Sequence, residues 1–244
     1  MDFTIEKYKE LLEALKKHKS HRIRHDVDAR PLYSLRVAQV EASMGFKATY
    51  YFRSMHFAEH KETILAIAKL GHEVGYHYEC LTTCHGDMAA AFEDFQRNLE
   101  ALRQIAPVQS ACAHGSPRSP WNSQNIWNQY DYHTLGISHE SMIDTDFSQT
   151  LYLTDTGRRW DGYRVSVRDK VPQYQNEWNQ EGLFFHHTDG IIHAINDLQH
   201  PIHQKALLIN THPQRWMPFG MPWVKEAALQ NTKNIVKRII VSIG

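Results

Sequence analysis

The chain has 244 residues, of which 42% are hydrophobic and 22% charged, enough apolar material for a packed core and too much for disorder. Lys plus Arg and Asp plus Glu are equal at 27 each, so no net field draws the chain to nucleic acid or an anionic membrane, and neither is expected as a partner. The first residues carry no apolar signal core and no run reaches transmembrane length, so a soluble, cytoplasmic protein is expected.

Residues 5–18 put Ile5, Tyr8, Leu11, Leu12 and Leu15 on one helical face, and HRIRHDV, 21–27, reads as a strand. Pro31 suits the first turn of a helix with the stripe Leu32, Leu35, Val37 and Val40, which Gly45 stops. ATYYF, 48–52, is β-branched and aromatic and predicts a strand. Residues 61–70 form a helix ending at Gly71, followed by the short strand EVGYH, 73–77. A long amphipathic helix over 87–105 leads to the strand VQSACAH, 108–114. Further on, 134–138, 150–155 and 206–212 read as strands and 222–238 as a closing helix, while 158–180 suits long loops. This strand–helix alternation predicts a parallel sheet wrapped by helices, barrel or doubly wound, in one domain over 1–244.

In such a sheet the carboxyl ends of the strands build the active site. Here those ends carry His25-Asp26-Val27-Asp28, His77, His114-Gly115-Ser116-Pro117, Thr154-Asp155 and Thr211-His212-Pro213. Seventeen histidines raise the odds of a metal or acid–base site, and strand-end position selects among them. Asp26 and Asp28 share one face of an extended chain, where two bare carboxylates repel unless a cation or proton intervenes. A divalent metal bound by Asp28 and imidazoles fills that role and leaves Asp26 to take a proton from the attacking water. Zinc, with mixed nitrogen and oxygen ligands and an open position, fits best. The competing reading is that Asp26 or Asp28 caps the helix starting at Pro31 while Arg22, Arg24 and Arg30 pair with both. Cys80, Cys84 and Cys112 are an odd number without zinc-site spacing, which speaks against a disulfide framework and a structural zinc.

These motifs resemble the polysaccharide deacetylase (NodB-like) homology domain over nearly the whole chain. RHDVD resembles that family's Asp-Asp motif with one residue inserted, and Gly71-His72-Glu73-Val74-Gly75-Tyr76-His77 resembles its second motif. AHGSP stands where the family has an Arg-x-Pro-x-Gly loop, and Leu207-Leu208-Ile209-Asn210-Thr211-His212 resembles its final strand. The resemblance implies a distorted (β/α) barrel with fewer than eight repeats and metal-dependent removal of an N- or O-acetyl group from a sugar or glycan precursor. By position it implies Asp26 as base, Asp28 and His77 as metal ligands and His212 as acid, with Asp155 orienting the base. Arg158 and Trp160, on the same loop as Asp155, are expected to contact substrate.

Two departures matter. Leu81 stands where the family's second histidine ligand is expected, and His114 replaces the arginine of the third motif. His114 is the candidate third ligand, with Glu79 and His85 as competitors. His72 is expected to be structural. The missing ligand keeps two other readings open: a hydrolase of a non-sugar C–N bond on the same fold, and an inactive glycan-binding homologue.

Overall fold

Apolar residues recurring every three to four positions make Ile5–Leu15 a helix (α1), and Thr4 caps it by accepting from the N–H of Lys7. The structure, a computed structural model, describes residues 1–243, and the side chains of these other than Arg164 and residues 236–243. Among the described residues no helix is long and apolar enough to cross a membrane. The remaining elements are β1 (His21–Val27), α2 (Pro31–Ser43), β2 (Thr49–Phe52), α3 (Lys61–Lys69), β3 (Glu73–Tyr78), α4 (Cys80–Thr83), α5 (Met88–Arg103), β4 (Ser110–Ala113), β5 (His139–Glu140), β6 (Thr150–Thr154), α6 (Pro172–Gln180), α7 (Thr188–Asn196), β7 (Ala206–Thr211) and α8 (Met221–Ile243). The strand order is β5-β4-β3-β2-β1-β7-β6, and β2–β3, β3–β4, β4–β5 and β6–β7 pair in parallel. This is a (β/α) barrel fold with seven strands, fewer than the eight of a complete barrel.

Contacts divide the chain into two compact units. The first comprises Met1–Arg24, Ser43–Phe46 and Asp146–Gly244; the second comprises His25–Ala42 and Lys47–Thr145.

In the second unit, strand alternation sorts side chains onto two faces. Tyr76 and Tyr78 of β3 pack on Phe95 of α5, with ring centroids 5.0 and 5.2 Å apart. Gly75 and His77 therefore face the other way. Gly75 is small of necessity, because a Cβ there would lie 2.4 Å from the ring of Tyr51. On β1, His25 stacks on Tyr50, so Asp26, one residue on, belongs to the opposite face. In the first unit, β6 and β7 pair from Thr150↔Ala206 to Thr154↔Asn210, which brings Asp155 and the end of β7 side by side.

Three sequence expectations are corrected. The inward face of α2 is Pro31, Ser34, Val37, Ala38 and Glu41, whereas Leu32 is 67% exposed. A buried network turns the helix: the carboxylate of Glu41 lies 2.8 Å from His25 Nε2 and accepts from the Tyr50 hydroxyl at 2.5 Å. Residues 134–138 are not a strand, because the chain coils into a 3-10 turn over Tyr132–Leu135 that Gly136 ends at φ 69°. Pairing with β4 starts only at His139. Residues 158–180 are not all loop; Pro172 opens α6, whose buried residue is Trp178, so no apolar stripe announces it. His72 is structural as expected: Nε2 donates to the carbonyl of Ala38 and Nδ1 accepts from the N–H of Ala48.

Gly75→Ala is expected to destabilise the protein by about 1–3 kcal/mol, the usual cost of overpacking a closed core. Urea unfolding of the two proteins measures it.

Candidate metal centre and active-site histidines

The second unit gathers four predicted residues. β1 ends at Val27, and the N–H of Asp28 donates to the carbonyl of Asp26 at 3.0 Å, a three-residue turn that closes the strand. Donor atoms of Asp28, His77 and His114 all lie within 4.8 Å of one another. His77 Nε2 is 3.4 Å and His114 Nε2 is 3.6 Å from the same oxygen, Asp28 Oδ1. These separations exceed an N–H···O hydrogen bond, which runs to about 3.2 Å. They match two ligands on one tetrahedral zinc, which bonds of about 2.0–2.2 Å place roughly 3.4 Å apart.

The far nitrogens of both rings are held from behind. His77 Nδ1–H donates to the carbonyl of Cys112 at 2.9 Å, and His114 Nδ1–H donates to Glu79 at 2.8 Å. Fixing the proton on Nδ1 leaves each Nε2 lone pair facing Asp28, the usual arrangement of metal-binding histidines. Glu79 is itself gripped by Arg53, whose Nε donates to it at 3.0 Å. Burial pushes the Glu79 carboxyl up, but His114 and then Arg53 outweigh it and bring the pKa down to about 2. Glu79, a competitor for the third ligand position, instead supports His114. His85 stands in the wall of a neighbouring cleft, its ring edge-on to Trp121.

Asp26 forms a second group with His77 and Cys112, all three buried and within the same 4.8 Å limit. Burial pulls the His77 pKa down, but Asp26 and then Asp28 outweigh it and hold it above its ordinary value. The site is thus built to stabilise positive charge, and the donor set of two imidazoles and a carboxylate fits a divalent cation, zinc among them. Cysteine spacing gives no hint of Cys112, because its distance from the other two fits no zinc motif. The signal lies in the strand: Cys112 and His114 are two residues apart and share a face.

The cleft beside His114 has a volume of ≈ 460 Å³, and its walls include Arg53, Glu79, Thr82, Ser116, Arg118 and Trp121. Gly86 lets Trp121 sit there. It adopts φ +89°, and a Cβ on it would lie 2.3 Å from Trp121 Nε1. His85 and Ser116 also take positive φ, at 51° and 35°, a strained backbone of the kind that collects at binding sites.

The first unit holds the remaining predicted residues. His212 follows β7, and its Nδ1 is 2.6 Å from Asp155 Oδ1. Two bare acceptors would not approach so closely, so the proton lies on Nδ1. The Asp155 carboxylate also accepts from the His212 backbone N–H at 3.0 Å, from Arg215 Nη1 at 2.5 Å and from Trp216 Nε1 at 2.8 Å. Burial pushes the Asp155 carboxyl up, but the charges of Arg215 and His212 outweigh it and lower the pKa from 3.8 to about 2. Asp155, expected to orient the base, is hydrogen-bonded to His212. Arg215 and Trp216, which sequence reasoning misses, complete its setting; their signal is the short run PQRW directly after His212.

Arg158 and Trp160, expected to contact substrate, are both largely buried. The Arg158 side chain is 7% exposed, paired with Glu226 and placed 4.4 Å over the Trp223 ring. Trp160 is 4% exposed, donates to Thr188 Oγ1 at 2.9 Å and packs beside Phe3 and Trp216. An aromatic or arginine that follows a strand end serves the core as readily as a ligand.

No protein-family model matches the chain, and no curated protein matches it. Solved structures similar to it include a family 4 carbohydrate esterase from Streptomyces lividans in complex with acetate, at 14% identity and TM-score 0.46, covering 91% of each chain. A CE4 esterase of Streptococcus mutans is similar at 13% identity and TM-score 0.46, covering 97% of this chain and 88% of that one. A peptidoglycan deacetylase of Bacillus subtilis is similar at 13% identity and TM-score 0.42, covering 91% and 96%.

The depressed Asp155 carboxyl has a consequence for acid stability. Its contribution is fully present above about pH 4 and is lost as pH falls through about 2, an amount of about 2 kcal/mol. Urea unfolding at fixed pH between 4 and 2 is expected to show this loss in the wild type and a flatter profile in Asp155→Asn.

Proposed function

We propose that this protein is a metal-dependent hydrolase that removes an acetyl group from an acetylated sugar or glycan precursor, in the cytoplasm. The observation that carries the reading is the geometry at Asp28: two imidazole nitrogens 3.4 and 3.6 Å from one carboxylate oxygen, each ring anchored through its other nitrogen. Such a set holds a divalent cation with a coordination position to spare. We take zinc as the metal, since a mixed set of imidazole and carboxylate donors would suit it.

Asp28, His77 and His114 would hold the ion. When bound, it supplies Lewis acidity, polarising the acetyl carbonyl and lowering the pKa of water toward about 7. Asp26, on the same face of β1, takes the proton of the attacking water as general base. On the family resemblance, His212 is assigned the general acid's role toward the departing amine or alcohol. Its Nδ1–H bond to an ionised Asp155 fixes the ring. Arg215 and Trp216 keep that carboxylate in place. The acid matters more for an amide than for an ester, because an amine leaves poorly without a proton.

The cleft at His114 is taken as the seat of the sugar. Trp121, resting over Gly86, offers a flat apolar face to a pyranose ring, while Ser116, Thr82 and Arg118 offer partners to its hydroxyls.

Metal analysis of purified protein together with acetate release from a panel of acetylated sugars tests this reading. One zinc per chain and released acetate are expected. Asp28→Ala and His77→Ala should each lose the metal and cut kcat/KM by on the order of a thousandfold, the several kcal/mol that a Lewis acid contributes. Metal-free protein that still releases acetate, or metal-loaded protein that releases none from any sugar, contradicts it. Trp121→Ala should raise KM roughly tenfold, about 1.4 kcal/mol, with little change in kcat.

A further inference from the structure

Two donor groups in the second unit share one imidazole. Asp28, His77 and His114 form one; Asp26, His77 and Cys112 form the other. They differ in chemistry. The first offers oxygen and two nitrogens, and Asp28 and His114 are partly open to solvent. The second offers oxygen, nitrogen and sulphur, and all three residues are buried. His77 Nδ1 is committed to the carbonyl of Cys112, so Nε2 alone can serve an ion. One lone pair serves one ion at a time, and the two groups exclude each other.

We propose that Asp26, His77 and Cys112 form an alternative, inhibitory binding position for thiophilic divalent cations such as cadmium or excess zinc. This rests on the metal-binding reading above and extends it. A thiolate selects softer ions than a carboxylate–imidazole set does. A closed set of buried ligands leaves little room for a water molecule, the mark of a structural rather than a catalytic site. An ion held there also engages the carboxylate of Asp26 and so removes the general base. Binding exchanges the thiol proton of Cys112 for the metal, and the proton leaves to solvent. Cys112 is thereby a selectivity element: it makes the protein responsive to the kind of metal supplied.

The test is titration of metal-stripped protein with cadmium, reading the ultraviolet thiolate-to-cadmium charge-transfer band, with bound metal measured by equilibrium dialysis. Wild type, Cys112→Ser and His114→Ala are compared, and near-ultraviolet circular dichroism reports that each is folded. The expected result is a band that saturates at one equivalent in the wild type, persists in His114→Ala and is lost in Cys112→Ser. Cadmium bound without the band, or a band that survives Cys112→Ser, overturns the proposal while leaving the catalytic metal site standing. If no variant binds any divalent metal, both readings fall. Should Cys112→Ser not fold, the band in His114→Ala decides: its presence supports the buried position, and bound cadmium without it is contrary.

Discussion

The hydrogen bond from His77 Nδ1–H to the carbonyl of Cys112 is the constraint on which the proposed chemistry depends. It exists because β3 and β4 run parallel in the register His77↔Cys112, which sets the ring beside a neighbouring strand's backbone. That backbone position is fixed by the sheet and not by a flexible side chain. The proton is thereby held on Nδ1, and Nε2 faces Asp28. Were the ring turned over, Nε2 would no longer face Asp28. Gly75 belongs to the same constraint: its bare face admits Tyr51 and lets β2 and β3 pack without strain on the side that carries His77.

Electrostatics then follow from placement. Asp26 and Asp28 both act on His77, and their combined charge raises its affinity for a proton despite complete burial. The environment that favours a proton on an imidazole also favours a cation between imidazole and carboxylate. His114 is prepared by a different device, a side-chain relay through Glu79 to Arg53. In the first unit, His212 is prepared by Asp155, whose carboxylate gathers the Arg215 guanidinium, the Trp216 indole and a backbone N–H. Three histidines thus have one ring nitrogen held by a partner from behind.

Much of the fold is legible in the sequence because its signals are local. β1 spans the HRIRHDV run, and α2 opens at Pro31 as the proline predicts. The gathering of Asp28, His77 and His114 is legible too, since strand ends in a parallel sheet converge. What stays hidden is long-range. Glu41 turns α2 because His25 and Tyr50, on other elements, receive its carboxylate. Cys112 looks isolated because its partners are Asp26 and His77, far away in the chain. The buried settings of Arg158 and Trp160 stay hidden because nothing nearby in sequence reveals Glu226, Trp223 or Thr188. Burial by distant segments is a property of the whole chain, and a residue's own neighbourhood does not carry it.

Whether one divalent cation lies between Asp28, His77 and His114 decides the proposed chemistry. Crystallography of zinc-loaded protein, with anomalous differences collected on both sides of the zinc edge, tests it most directly. The expected result is a single strong peak about 2.0–2.2 Å from Asp28 Oδ1, His77 Nε2 and His114 Nε2. A map without a peak there, in crystals grown with zinc and with both rings turned away from Asp28, would contradict it.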